Sequence, residues 1–343
     1  TYWRSTMSIR THTPKVDHGF AWTKEKYNGQ WLDGSEITDL VSTVGTTDEL
    51  TKIYKPVSTL GEEPPLLACI VKGVYTGDKL EELRETIQSI EEVSTLRANA
   101  AGPIDHEEMK KKGLIEGVHY KMRTPNSYYP IKKNGQFNRI AEANPIHSIF
   151  MGHKRGRFTG MIGLSGWSKL ARNREKWESM QDIALLNEIA LKKGSPEVWR
   201  KQREFCDECV DPQYTLKGAP FTSISANKYS YVEGAGKMSA HVDGDDLDFG
   251  MTTMCVFRCG DYKGAYLSFP RYGIGIDADD GDVIIADSNE IHGVTQIEGT
   301  GVRHTCVAYC GSDVATKGVR GKTENPIGHH HRDKHGSLDT FLS

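Results

Sequence analysis

No apolar run in this chain approaches the roughly 20 residues that a membrane-crossing helix needs. That excludes a helical span and leaves no membrane partner to expect. The first residues, Thr1-Tyr2-Trp3-Arg4-Ser5-Thr6-Met7, lack the apolar stretch of a secretory signal. No internal repeat is found, so no repeat architecture is read. Cysteine is sparse and odd in number, at seven. A chain of 343 residues buries enough core to fold without disulfides. Cys255, Cys306 and Cys310 stand among apolar residues and read as core thiols. Cys206-x-x-Cys209 has no second such pair, so a four-cysteine zinc site is not expected. The expectation is a soluble intracellular protein in a reducing compartment, cytoplasm or nucleus.

Net charge is small, at -3, but it is unevenly spread. Met109 to Arg203 holds about 20 Lys and Arg against about 7 Asp and Glu. The segment is therefore strongly basic and the rest of the chain strongly acidic. Such asymmetry points to a polyanionic partner or to a solvated helical surface balanced elsewhere in space.

Residues 1–60 are polar, Gly- and Thr-rich and weakly periodic, and read as an irregular arm with at most one strand. Leu66–Val71 is a short apolar run of strand length. Leu80, Leu83, Ile87 and Ile90 recur at helical steps after Thr76-Gly77-Asp78, which predicts an amphipathic helix with Asp near its start. Residues 98–165 read as loop-rich, with Gly102-Pro103, Pro125-Asn126 and Asn134-Gly135 as turns. Lys169–Lys193 has the strongest helical period, and Ser195-Pro196 starts a further helix. From Phe221 the pattern changes to short strands between Gly/Asp turns, the mark of a β-sandwich or barrel. The tail, with His329-His330-His331, reads as solvated. Four regions are expected: an irregular arm over 1–60, a helical and basic support and substrate-binding region over 61–220, a catalytic core over 221–312, and a polar tail over 313–343.

The chemistry concentrates in His241-Val242-Asp243, followed by His292 and Arg303. In an extended stretch residues i and i+2 share a face, so His241 and Asp243 can approach one metal together. His292 follows the strand-like Val283–Ala286. Two imidazoles and one carboxylate make the facial triad of non-haem Fe(II) oxygenases, with positions left open for a bidentate 2-oxo acid and O2. Arg303 and Thr305 share a face on the next strand, expected to neighbour that of His292. A guanidinium there can grip a carboxylate in two-point fashion, with the hydroxyl beside it. Either histidine alone reads equally well as a core or surface residue; the order and context of the group give it weight.

Residues 221–310 resemble the double-stranded β-helix core of 2-oxoglutarate oxygenases, and within them the TET/JBP-like branch. The resemblance rests on Thr222–Asn227, His241–Asp246, Lys263–Pro270, Asp280–Val283, Ile291–Val294 and Arg303–Thr305. Arg97–Gly102 and Ser148–Gly152 share it faintly. It implies an α+β protein whose jelly-roll, cupin-like core carries an N-terminal helical and loop-rich extension. It implies Fe(II) held by His241, Asp243 and His292, with 2-oxoglutarate on Arg303 and Thr305 and O2 as co-substrate. It implies a 5-methylpyrimidine of DNA, 5-methylcytosine or thymine, as the substrate, hydroxylated at its methyl group. A carboxylate at 243 implies hydroxylation rather than halogenation. The chain departs from the family at Gly264-Ala265, where two glycines are common, and it lacks the cysteine-rich insert of animal members. It is similar to the compact microbial, algal, fungal or viral ones.

A base inside a duplex hides its methyl group, so such an enzyme must act on a flipped or single-stranded base. Lys154, Arg155 and Arg157 are candidate phosphate contacts, and Asn227 and Asp245 candidate substrate contacts. The alternatives are a hydroxylase of a small molecule or protein side chain, and a non-enzymatic β-sandwich binding module. No obligate protein partner is expected.

Overall fold

The structure is a computed structural model that describes residues 7–15, 17, 24–56, 63–90, 92–156, 159–232, 236–244 and 246–314. Asp245, Arg157 and the His329–His331 tract lie outside the described residues. The amino-terminal part supplies strands β1 (Ile9–His12), β2 (Asp39–Ser42), β3 (Leu50–Tyr54) and β4 (Leu66–Val71), with a short helix α1 (Lys24–Tyr27). Helices α2 (Gly77–Gln88) and α3 (His106–Lys111) follow. Next come a hairpin of β5 (Tyr120–Thr124) and β6 (Ser127–Pro130), then strands β7 (Ser148–Arg155) and β8 (Ile162–Leu164). Helices α4 (Arg174–Met180), α5 (Asp182–Gly194) and α6 (Pro196–Cys209) precede a strand-rich half. Its strands are β9 (Ser223–Ser230), β10 (Met238–His241), β11 (Thr252–Cys259), β12 (Tyr262–Gly264), β13 (Leu267–Phe269), β14 (Ile274–Asp277), β15 (Val283–Ala286), β16 (His292–Val294), β17 (Ile297–Gly299) and β18 (Val302–Tyr309).

Two sheets face each other. The larger runs β1-β3-β4-β15-β11-β18-β9-β7-β8, and the smaller β10-β16-β13-β14-β2. Residues of β15 explain the layering. Val283 and Ile285 point outward to a helical core, while Ile284 and Ala286 point to the core between the sheets. With both faces covered, the strand reads as an unbroken apolar run rather than an alternating one. Helix α5 covers the outer face. Its Ile183, Ala184, Ala190 and Leu191 pack in the helical core with Cys255, Cys306 and Ala308. Asn187 ties helix to sheet: it accepts from the Tyr75 hydroxyl (2.7 Å) and donates to Thr253 Oγ1 (3.1 Å), all three buried.

This is the double-stranded β-helix, built inside an α+β chain. The sheets reach beyond the stretch read as the core. Strand β2 pairs with β14, β4 with β15 and β3 with β4, so β2 and β3, in the stretch read as an irregular arm, extend the two sheets, while β4 is the strand expected at Leu66–Val71. The alternation of β2 and β3 is too short and polar to announce this; they are strands because β14 and β4 offer them edges. Strand β7 was likewise hidden in a loop-like stretch. Gly152 has a φ of +104° there, and a Cβ would lie 2.5 Å from the Thr222 carbonyl oxygen. The strand can pass β9 only with that break. The long helix expected over Lys169–Lys193 is two helices, with Gln181 between α4 and α5.

Candidate metal centre and its pocket

His241 and His292 are register partners across the antiparallel pair β10–β16. Both imidazoles therefore leave the smaller sheet on the same face, with ring centroids 4.5 Å apart. Each Nδ1 sits on a backbone carbonyl two residues earlier: Ser239 at 2.7 Å for His241, Glu290 at 2.9 Å for His292. If each Nδ1 donates there, each Nε2 keeps its lone pair for a ligand. Asp243 lies just past the end of β10, its backbone N–H donating to the Ser288 carbonyl. Its two carboxylate oxygens stand 3.6 Å from His241 Nε2 and 3.7 Å from His292 Nε2. All the ligating atoms lie within 4.8 Å of one another. Donors in a facial octahedral site with bonds near 2.1 Å are about 3 Å apart, so a modest contraction of these side chains would enclose a cation. Among the described residues this is the one such cluster. Burial, then the neighbouring His292, lowers the pKa of His241 to about 4, which keeps it neutral and able to ligate.

The cluster opens into a cavity of ≈ 270 Å³ between the two sheets. Ser225, Asn227, Val307 and Tyr309 of the larger sheet form its far wall. Alternation along β18 puts Arg303 and Thr305 on the same face as Val307 and Tyr309. Arg303 is only 2% exposed, and both its terminal nitrogens lack a hydrogen-bond partner. Its guanidinium carbon lies 5.5 Å from the ring centroid of Tyr229, which lines the cavity. Asn227 pairs with Thr305 in register and donates to its hydroxyl (3.3 Å), while its own Oδ1 is buried without a partner. A buried cation beside unsatisfied polar atoms is costly unless an anion completes it. A dicarboxylate reaching from the metal toward Arg303 supplies that anion, so these residues fit Fe(II) and 2-oxoglutarate.

The expected site residues fall in two places. His241, Asp243, His292, Asn227, Arg303 and Thr305 gather around the intersheet space. Lys154 and Arg155 do not; they end β7, beyond β9. There the Arg155 guanidinium donates to the Asp313 carbonyl (3.2 Å) and to the Gly160 carbonyl, and Lys154 lies 5.0 Å from the Phe150 ring centroid. Arg303 is also not on a strand beside His292. The short β17 intervenes and β18 belongs to the facing sheet, which sets Arg303 opposite the triad. Four residues missed in the sequence line the cavity: Arg97, Asn99, Asp246 and Ser288. Asp246 is buried and accepts from the Ser288 hydroxyl (2.6 Å) and from Thr252. Arg97 and Asn99 had a signal, the faint likeness of Arg97–Gly102. Asp246 had only its place three residues after Asp243. The Cys206-x-x-Cys209 thiols are buried, with Cys206 3.4 Å from Cys310, in an apolar cluster with Phe205 and Val210.

Residues 167–311 match the family described as the oxygenase domain of the 2OGFeDO superfamily, Tet_JBP. Over this segment the chain is similar to the TET/JBP-like oxygenases. The superfamily's cofactors are Fe(II) and 2-oxoglutarate, with O2. Thymine dioxygenase JBP1 of Trypanosoma brucei brucei is 25% identical over 140 residues, which are 39% of this chain and 15% of that protein. The bifunctional helicase and thymine dioxygenase JBP2 of Trypanosoma brucei brucei (strain 927/4 GUTat10.1) is 30% identical over 134 residues, 38% of this chain and 11% of that protein. The chain thus spans only about a seventh or less of these relatives. A solved structure of NgTET1 in complex with 5mC DNA is 13% identical, with a TM-score of 0.48, covering 80% of this chain and 82% of that one. Among the described residues no helix is long and apolar enough to cross a membrane.

Proposed function

We propose that this TET/JBP-like oxygenase is an Fe(II)- and 2-oxoglutarate-dependent dioxygenase that hydroxylates the methyl group of a 5-methylpyrimidine base in DNA. The carrying observation is one arrangement: His241, Asp243 and His292 converge on one sheet, and β18 of the other sheet carries the buried, unpartnered Arg303 guanidinium. His241, Asp243 and His292 hold the metal in this reading. Arg303, with Thr305 beside it, holds the distal carboxylate of 2-oxoglutarate. Bound together, the two cofactors activate O2 to oxidise a C–H bond, releasing succinate and CO2. The protein's part is orientation and exclusion. The Ser239 and Glu290 carbonyls fix the imidazoles, and the two sheets keep bulk water from the cavity. Asp246, at the cavity wall, places a carboxylate where a base's amino or imino edge can donate.

DNA as the substrate is supported by the family match and by the two relatives, which are named for oxidising thymine. The domain division is part of the proposal: residues 221–312 hold the chemistry and 61–220 support it and bind substrate. The test is mass spectrometry of nucleosides after incubating 5-methylcytosine-containing and thymine-containing duplexes with the protein, Fe(II) and 2-oxoglutarate. A hydroxymethylpyrimidine nucleoside, absent with His241→Ala, is expected. Succinate formation on a small molecule or a protein, with DNA unchanged, would instead place the same chemistry on another substrate.

A further inference from the structure

The β5–β6 hairpin has two unlike faces. Tyr120, Met122 and Tyr128 turn to one side, where they pack with Ile104, Met109 and Leu114. The other side carries Lys121 and Arg123, with Tyr129 opposite Lys121 in register. The Lys121 ammonium lies 5.6 Å from the Phe137 ring centroid, and the Arg123 guanidinium 5.8 Å from that of Tyr129. Lys121, Tyr129, Phe137 and Arg139 line a groove of ≈ 510 Å³. Phe137 is 49% exposed. From Gly117 to Ala141 the chain has no Asp or Glu, while Lys121, Arg123, Lys132, Lys133 and Arg139 all lie there. Among the described residues none of these five has an ion-pair partner. Lys111 and Lys112 just before them do pair, with Glu108.

The hairpin that carries the groove is tied at its turn to β10, the strand that bears His241. Asn126 at the hairpin turn donates to the Gly29 carbonyl (2.7 Å), and Gly29 N–H donates to the Ala240 carbonyl (2.5 Å), next to His241. Asn99 lines both the metal cavity and a second cavity of ≈ 790 Å³ whose wall includes Thr124, Pro125 and Asn126. A strand whose target base enters the pocket would run past Asn99 and onto the hairpin. Five residues of β5 extend about 17 Å, the rise of about five nucleotides at 3.4 Å each.

We infer that the Lys121, Arg123 and Arg139 face of this hairpin grips the phosphates of the DNA strand flanking the target base, with Tyr129 and Phe137 supporting the exposed sugars and bases. The inference rests on the proposal that DNA is the substrate. Cations interleaved with exposed aromatics suit a nucleic-acid strand, because every base offers a face to stack and every nucleotide a charge. An acidic peptide would use the cations and leave the rings idle.

The test is fluorescence anisotropy with a labelled duplex containing 5-methylcytosine, titrated at several salt concentrations. Lys121→Ala combined with Arg123→Ala should raise Kd at least tenfold and lower the slope of log K against log salt by about 2. Phe137→Ala, at an exposed ring, should weaken binding several-fold and leave that slope unchanged. Affinity for 2-oxoglutarate serves as the check that each variant folds. Wild-type affinity and slope in the double variant would overturn the hairpin's role and leave the oxygenase proposal standing. Preferential binding of polyglutamate on this face would overturn it as well. Wild-type protein that binds no DNA at all would remove the DNA proposal itself, and that result is read before any variant is made.

Discussion

His241 and His292 occupy one register position on two paired strands, so a single sheet geometry sets both imidazoles. Their convergence does not depend on the loop that carries Asp243. A change that shifts β10 against β16 by one residue would send one ring to the opposite face. Gly293 marks how close these strands are: a Cβ there would lie 2.8 Å from Leu32 Cδ1 and 3.0 Å from the Met238 carbonyl oxygen.

Arg303→Met should separate stability from cofactor binding. The buried guanidinium has two unpartnered nitrogens without its anion, so an apolar side chain of similar length should leave the Tm of the ligand-free protein unchanged or higher. The KM for 2-oxoglutarate should rise at least tenfold, since a charged hydrogen bond contributes about 1.5–3 kcal/mol. Thermal unfolding beside succinate kinetics checks both. A large fall in Tm with KM unchanged would make Arg303 a structural residue.

Acid should destabilise the metal-free protein through His241. Its pKa is lowered to about 4 in the folded chain, against 6.5 for an ordinary histidine. Below pH 6.5 the unfolded chain takes up a proton that the folded chain refuses, so stability is lost as pH falls from 6.5 toward 4. Urea unfolding of chelator-treated protein at pH 7.5 and pH 5, for wild type and His241→Gln, measures this. The loss should be smaller in the variant; equal losses would assign it to other groups.

Gly264→Ala should be severe. Gly264 has a φ of +75°, and a Cβ would meet the Gln296 carbonyl oxygen at 2.0 Å. Left-handed backbone and a backbone clash together should cost about 3 kcal/mol, read as a lowered urea midpoint. Its neighbour Ala265 already adopts a φ of +52°, which shows why a second glycine is common there and why one can be dispensed with. The Ala265 side chain is buried with Tyr229, Tyr262 and Val294, and that burial offsets the backbone strain.

Asn187→Ala should cost about 2 kcal/mol with little change in 2-oxoglutarate affinity. It leaves the buried Tyr75 hydroxyl and Thr253 without their shared partner, on the sheet face away from the metal. Unfolding curves and a 2-oxoglutarate titration on the same preparation check this. A change in cofactor affinity as large as the change in stability would show that the helix face and the pocket are coupled.

Sequence alone picked out the His241, Asp243 and His292 that the fold gathers into one cluster, and the kind of core. His-x-Asp, a distant His and a following Arg are local patterns of residue type, and the strands from Phe221 onward announce themselves by short apolar runs between Gly and Asp turns. Tertiary structure decided everything that depends on which edges and faces meet. Strands β2 and β3 formed because β14 and β4 offered them edges, and no periodicity of their own foretold it. Asp246, Arg97 and Asn99 reached the pocket by loops whose course no spacing rule describes. The basic stretch read as one segment was divided by the fold. Arg155 went to structural hydrogen bonds at a sheet end, while Lys121 and Arg123 were left facing solvent on the β5–β6 hairpin. Charge is counted along the chain, but whether a cation has a partner is decided only by what packs beside it.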